Sequence, residues 1–300
     1  MRTKLVITAV LTAAAWGQVG GPTPGYVFDS AARELRPMRG VAGAAHLGAA
    51  LLKEADAAAA SSDGTMAAAA RFGMIEVVRG FDTASPARVM LAREPGGVLF
   101  AWSGRDLAAV FTATRKVMLW RGLDVSADQV TTLDISNLEG AIQSVLLDGE
   151  NLLLASKGGL YLAGEGGTRR IAELQDPSAM VAAGSDLFVA DREAGQVTRI
   201  RNYAGAAETG KFADAGSPVG LQLASRRLLV ASAQTRTVDA FDVVTMERLG
   251  SVELDFTPTR MTRVGDTVAL LNSGSETEPL YVLDSSGSPQ VYFVPAGREQ

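Results

Sequence analysis

Five cations recur at matching places in this chain: Arg71, Arg115, Lys157, Arg192 and Arg236. Each falls in a short polar stretch between two apolar runs, the second and third runs of a unit that repeats along the sequence. Guanidinium groups take carboxylate and phosphate oxygens two at a time. Five such side chains on one face would form a cationic ring able to bind an anionic small molecule or an acidic patch on a partner. Exposed turns of any protein also carry Arg and Lys, so the pattern predicts where the charges sit before it predicts what they bind. The sixth equivalent stretch, Asn272 to Glu278, breaks the series with Glu276 and Glu278.

Other chemistry is narrowly bounded. His46 is the only histidine and there is no cysteine, which excludes Cys-His nucleophilic sites and multi-histidine zinc sites built from this chain alone. A Ser-His-Asp set through His46 is arithmetically open, but no Gly-x-Ser-x-Gly elbow occurs to hold the serine. Asp191 and Asn272 end equivalent apolar runs, where Thr112, Ser156 and Ser232 stand in other units. Two oxygen ligands are too few for calcium, so polar caps at strand ends are the expected role. Gly164-Glu165-Gly166-Gly167 opens no helix and reads as a hairpin turn rather than a phosphate cradle. Beyond the N-terminal segment the only tryptophans are Trp102 and Trp120, both in apolar runs where core packing is expected.

The elements that must carry these residues are short strands. The phrases opening at Pro177, Pro218 and Pro258 repeat one another, each with a half-apolar segment, a polar or glycine tip and a fully apolar return. The tips fall at Gly64, Arg105, Gly149, Ser185, Arg226 and Gly265, so the gaps are 41, 44, 36, 41 and 39 residues. Units of that length cannot bury their apolar faces alone and must stack. A third and a fourth strand follow in each unit, as in 116–120 and 130–135. Four antiparallel strands at this period predict an all-β fold, the β-propeller of four-stranded blades. In such a ring the five cationic loops share one face around the central channel.

Tyr26 to Asp29 and Leu35 to Arg39 predict a hairpin near the N-terminus, and its wording echoes Tyr281 to Asp284 with Val291 to Val294. Residues 41–54 predict an irregular or partly helical connection, despite an alanine-rich helical propensity, and 55–70 two small-residue strands around Ser61-Ser62-Asp63-Gly64. Seven blades are favoured, one of them short and near the N-terminus, with six as the alternative.

The pattern resembles secreted bacterial propellers of the YVTN, NHL and WD40-like kind, Asp186-Leu187-Phe188-Val189-Ala190-Asp191 being the nearest phrase; the Gly-His and Trp-Asp signatures of true WD40 repeats are missing. Arg2 and Lys4, then the apolar run Leu5 to Trp16 and small residues before Gln18, predict a signal peptide over 1–17 and a single propeller domain over 18–300. The expected location is secreted or periplasmic, with no membrane span in the mature chain, which is expected to be monomeric. Losing Arg2 and Lys4 would take the net charge from −5 to −7, which disfavours nucleic acid as a partner. The expected function is noncatalytic binding or scaffolding of an unidentified protein or anionic small molecule, with no cofactor. The alternative is a metal-dependent hydrolase of the lactonase-like propeller type.

Overall fold

The computed structural model describes residues 22–127, 130–272 and 278–294. The segment expected to be a signal peptide lies outside them, as does Glu276. Seven antiparallel sheets follow one another along the chain. Blade 1 is β1 (Gly25–Asp29), β2 (Glu34–Arg39) and β3 (His46–Leu47). Blade 2 is β4 (Ala57–Ala60), β5 (Met66–Arg71), β6 (Met74–Arg79) and β7 (Ala87–Arg93). Blade 3 is β8 (Val98–Ser103), β9 (Asp106–Phe111), β10 (Lys116–Trp120) and β11 (Val130–Asp134). Blade 4 is β12 (Ile142–Asp148), β13 (Asn151–Ser156), β14 (Gly159–Gly164) and β15 (Gly167–Ala172). Blade 5 is β16 (Pro177–Ala183), β17 (Asp186–Asp191), β18 (Gln196–Arg201) and β19 (Glu208–Asp214). Blade 6 is β20 (Pro218–Ala224), β21 (Arg227–Ser232), β22 (Thr237–Asp242) and β23 (Arg248–Glu253). Blade 7 is β24 (Thr262–Arg263), β25 (Val268–Leu270), β26 (Leu280–Asp284) and β27 (Gln290–Val294).

The blades pack face to face in sequence order and close into a ring. Successive side chains of a strand point to opposite faces, so each second strand feeds two interfaces. In β9, Leu107, Ala109 and Phe111 pack against blade 2, whereas Ala108 and Val110 pack against blade 4. Both faces are therefore dry, which explains why second strands read as unbroken apolar runs rather than alternating ones. The ring closes where Leu270, Leu280, Val282 and Val294 of blade 7 meet Val27 and Met38 of blade 1. Gly25 lies so close to blade 7 that a Cβ there would sit 1.5 Å from the Val264 carbonyl oxygen, an approach only glycine permits.

Among the described residues blade 1 has second, third and fourth strands and no innermost one. Arg33 takes a left-handed φ of 60° immediately before β2, as Arg115 (54°), Gly195 (65°) and Arg236 (53°) do before third strands. The Arg33 carbonyl accepts the Ala55 amide, just as those of Arg115, Gly195 and Arg236 accept Ile135, Ala215 and Leu254. The Asp29 carboxylate accepts the amides of Ala31 and Ala32, the turn that Asp191 makes with Ala194. Hence β1, β2 and β3 are second, third and fourth strands, and β1–β2 corresponds to β17–β18 rather than to the β26–β27 hairpin it echoes. Residues 41–54, expected as an irregular or partly helical connection, hold one 3-10 turn at Ala42–Ala44 and then the fourth strand of blade 1, where β3 pairs with β2 and Leu52 bridges to Leu35.

Polar latches join neighbouring blades on the face that carries the turns between first and second strands. Arg121 donates to the Gly149 and Glu150 carbonyls of blade 4, Arg169 to those of Ala204 and Gly205 in blade 5, and Arg227 to that of Ser285 in blade 7. Tyr203 of blade 5 donates to the Asp148 carboxylate of blade 4. Burial first, and then the hydrogen bond to that carboxylate, push the Tyr203 phenol up to about 12 from 10.0. The raised value means the neutral phenol is the stabilised form, so this stabilisation is present below pH 10.0 and is lost as pH rises through about 12. Ultraviolet titration of the native protein should show one phenol ionising at about 12, and Tyr203→Phe should remove that step. The same variant should lower stability at neutral pH by about 1–2 kcal/mol, read from denaturant midpoints.

Candidate functional site

The loops between second and third strands all lie on the opposite, upper face, together with the crossovers from fourth strands to the next blade. Within those loops the cations of the series occupy two different positions. Arg71 ends β5, and Lys157 and Arg192 directly follow β13 and β17, whereas Arg115 and Arg236 directly precede β10 and β22. Arg33 holds that second position in blade 1 and belongs with them. The signal was present in the sequence, since four residues separate Asp29 from Glu34 just as four separate Asp191 from Gln196 and Ser232 from Thr237. The sixth loop, between β25 and β26, lies partly outside the described residues.

Most of these side chains already have local work. Arg33 pairs with Asp56 at 2.6 Å. Arg71 sits beside Glu76 at 3.3 Å, and Glu76 also receives Arg88 at 2.7 Å. Arg115 donates to the Gly140 carbonyl at 2.6 Å and to that of Leu138, tying its loop to the crossover into blade 4. These three hold loops in place. Lys157 and Arg192 are more open, with exposed side chains at 3.4 Å from Glu193 and 3.7 Å from Asp176. Arg236 is exposed and makes no ion pair or side-chain hydrogen bond among the described residues. The cations available to a ligand thus form an arc over the adjacent blades 4, 5 and 6.

Carboxylates at strand ends are occupied by backbone. Asp191, 2% exposed, accepts the amides of Gln175 at 2.8 Å, Asp176 at 2.9 Å and Ala194 at 3.2 Å. It fastens the incoming crossover to its own loop, the polar-cap role expected from the sequence. Thr112 does the same through the Gly97 carbonyl at 3.0 Å. Ser156 and Ser232 do not share in this, and their fully buried hydroxyls find no partner among the described residues. Asn272 bridges its own loop, donating to the Pro279 carbonyl at 2.7 Å. His46 is exposed on β3, paired with Arg39 across the ladder and remote from any such set. No three His, Cys, Asp or Glu side chains come together as a metal site among the described residues.

The central channel widens beside blade 1 into a cavity of about 830 Å³. Its walls include Tyr26 to Phe28, Ala58 to Ala60, Leu99 and Phe100, with Ser61, Asp63, Arg263 and Asp266 near one mouth. The Ser61 hydroxyl, donating to Asp63 at 2.7 Å, leads in holding that carboxyl below its ordinary range. Trp120 is buried, as expected of a core residue. Trp102 buries only part of its ring, lines the channel, and donates from Nε1 to the Ala59 carbonyl at 3.0 Å, joining the inner strands of blades 2 and 3.

Ring, blade count and strand order define a seven-bladed β-propeller of WD40-like fold. No family model matches the sequence, and no curated protein matches it. Solved structures do. A computationally designed protein, Ika8, superposes with a TM-score of 0.61 at 13% identity, covering 93% of this chain and 84% of that one. The β-propeller domain of Myceliophteria thermophila Cps50 (Swd1) gives 0.60 at 15% identity, covering 82% and 87%. A chain of the Mitotic Checkpoint Complex gives 0.57 at 12% identity, covering 80% and 79%. At such identities the likeness shows the fold alone.

Replacing Asp191 by Ala should strand three partly buried amides and lower stability by about 1–3 kcal/mol. Calcium should leave the wild-type melting temperature unmoved. A calcium-dependent rise that Asp191→Ala abolishes would instead make this carboxylate a metal ligand.

Proposed function

We propose that this protein is a secreted or periplasmic, noncatalytic binding and scaffold propeller that takes an anionic small molecule or an acidic patch of a partner protein on its upper face. The observation that carries the proposal is the arc of Lys157, Arg192 and Arg236, exposed on adjacent rigid loops while the strand-end carboxylates are consumed by backbone amides. A stiff ring presents such loops without ordering them on binding, which removes one entropic cost of association. Arg71 and Arg115 contribute by holding loop shape. The hydrolase alternative needs a converging ligand set, and none supports it among the described residues. Secretion rests on the basic and apolar N-terminal segment, with cleavage after Gly17.

Titrating citrate, inorganic phosphate and an acidic peptide into the purified protein should give saturable binding that weakens with salt. The double charge reversal Arg192→Glu with Arg236→Glu should weaken it at least tenfold without moving the melting temperature. Undiminished binding by that variant would remove the arc from the proposal. Mass spectrometry of protein recovered outside the cytoplasm should find Gln18 at the N-terminus.

A further inference from the structure

We propose that the channel beside blade 1 is a strand-addition site, which takes an extended, uncharged segment of a partner polypeptide as the missing innermost strand of that blade. The site is separate from the cationic arc and does not depend on it. In blades 2 to 7 a second strand lies between an inner and a third strand, hydrogen-bonded on both edges. In blade 1, β1 is paired only with β2 among the described residues. The free edge can be assigned residue by residue. Pro37, opposite Tyr26, has no N–H, and its carbonyl accepts the amide of Gly48 on the far side; Leu35, opposite Phe28, is likewise bonded outward to Leu51 and Leu52. Tyr26 and Phe28 therefore turn their N–H and C=O groups away from β2 and into the cavity, where no described group meets them.

Burial agrees with this assignment. The other second strands are buried almost throughout, whereas Tyr26 and Phe28 stay half-exposed, with no described residue paired along their inner edge. A single strand placed there would be continuous with the established inner ring, flanked by β24 on one side and β4 on the other, both of which line the cavity. The occupant's chemistry follows from its six counterparts. Four of them, Ala57–Ala60, Val98–Ser103, Pro177–Ala183 and Pro218–Ala224, carry no charge and are rich in small and aliphatic residues, and the other two carry a single charge at the strand end, Asp148 and Arg263. The stretch of wall made of Ala58, Ala59, Phe100 and Leu99 favours the same kind of segment, with Asp63, Arg263 and Asp266 toward one mouth. Main-chain hydrogen bonds would supply affinity, and alternate side-chain positions would supply choice.

The test uses three acetylated and amidated peptides carrying the sequences of Val98–Ser103, Ser178–Ala183 and Val219–Ala224, added to the purified protein. Amide hydrogen exchange is followed at Tyr26 and Phe28. At least one peptide should bind saturably and slow both amides tenfold or more, and N-methylation of its alternate residues should cost at least tenfold in affinity. The proposal is overturned if no peptide slows these amides, or if methylated peptides bind equally well. It is also overturned if both amides in the free protein already exchange as slowly as that of Val189, which would mean that the chain covers its own edge.

Discussion

Everything in this molecule hangs on the burial of second strands from both sides. A sheet that is apolar on both faces cannot end at solvent, so each blade obliges a neighbour, and the obligation is discharged only when the last blade meets the first. The all-alanine stretch Ala67–Ala70 shows how the fit is made. Its small faces leave room for Leu107, Phe111 and Trp120 across one interface and for Leu35 and Leu52 across the other. Small residues on one side of these junctions are met by large ones on the other, as close packing requires.

The two rims divide the polar work. On the lower rim, arginines reach across blade boundaries to backbone carbonyls, and Tyr203 reaches Asp148. On the upper rim, strand-end residues such as Asp191 and Thr112 hold crossovers to the loops beside them. Both devices satisfy backbone groups that a compact ring would otherwise bury unpaired. They also leave few acidic groups free to converge, and the exposed cations gather over blades 4 to 6.

The repeat was legible because its unit is copied in polar punctuation as well as in apolar runs. Strands from Asp106 to Asp242 fall within a residue or two of where tips and runs placed them. The blade 1 assignment was harder to see. Tyr26–Asp29 resembles Tyr281–Asp284 in side-chain type, and side-chain type does not distinguish a second strand from a third. The pairing beyond the turn distinguishes them, because the Arg33 carbonyl accepts the Ala55 amide as those of Arg115 and Arg236 accept the Ile135 and Leu254 amides at the ends of fourth strands. Ala57–Ala60 and Ala67–Ala70 would favour helix in isolation, but tertiary demand for small residues overrode that propensity. The pairing of each cation was invisible, because partners such as Glu193 and Leu138 come from other loops.

The seam between blades 7 and 1 differs in kind from many closures, since no described strand of one terminal sheet enters the other. It is held by packed faces and the intimate abutment of Gly25 on Val264. Apolar contact without a shared ladder resists sliding poorly and separates piece by piece. Under mechanical load, or in the first stage of thermal breathing, the disc should therefore part like a split washer at this junction, while the remaining blades stay stacked as an open arc.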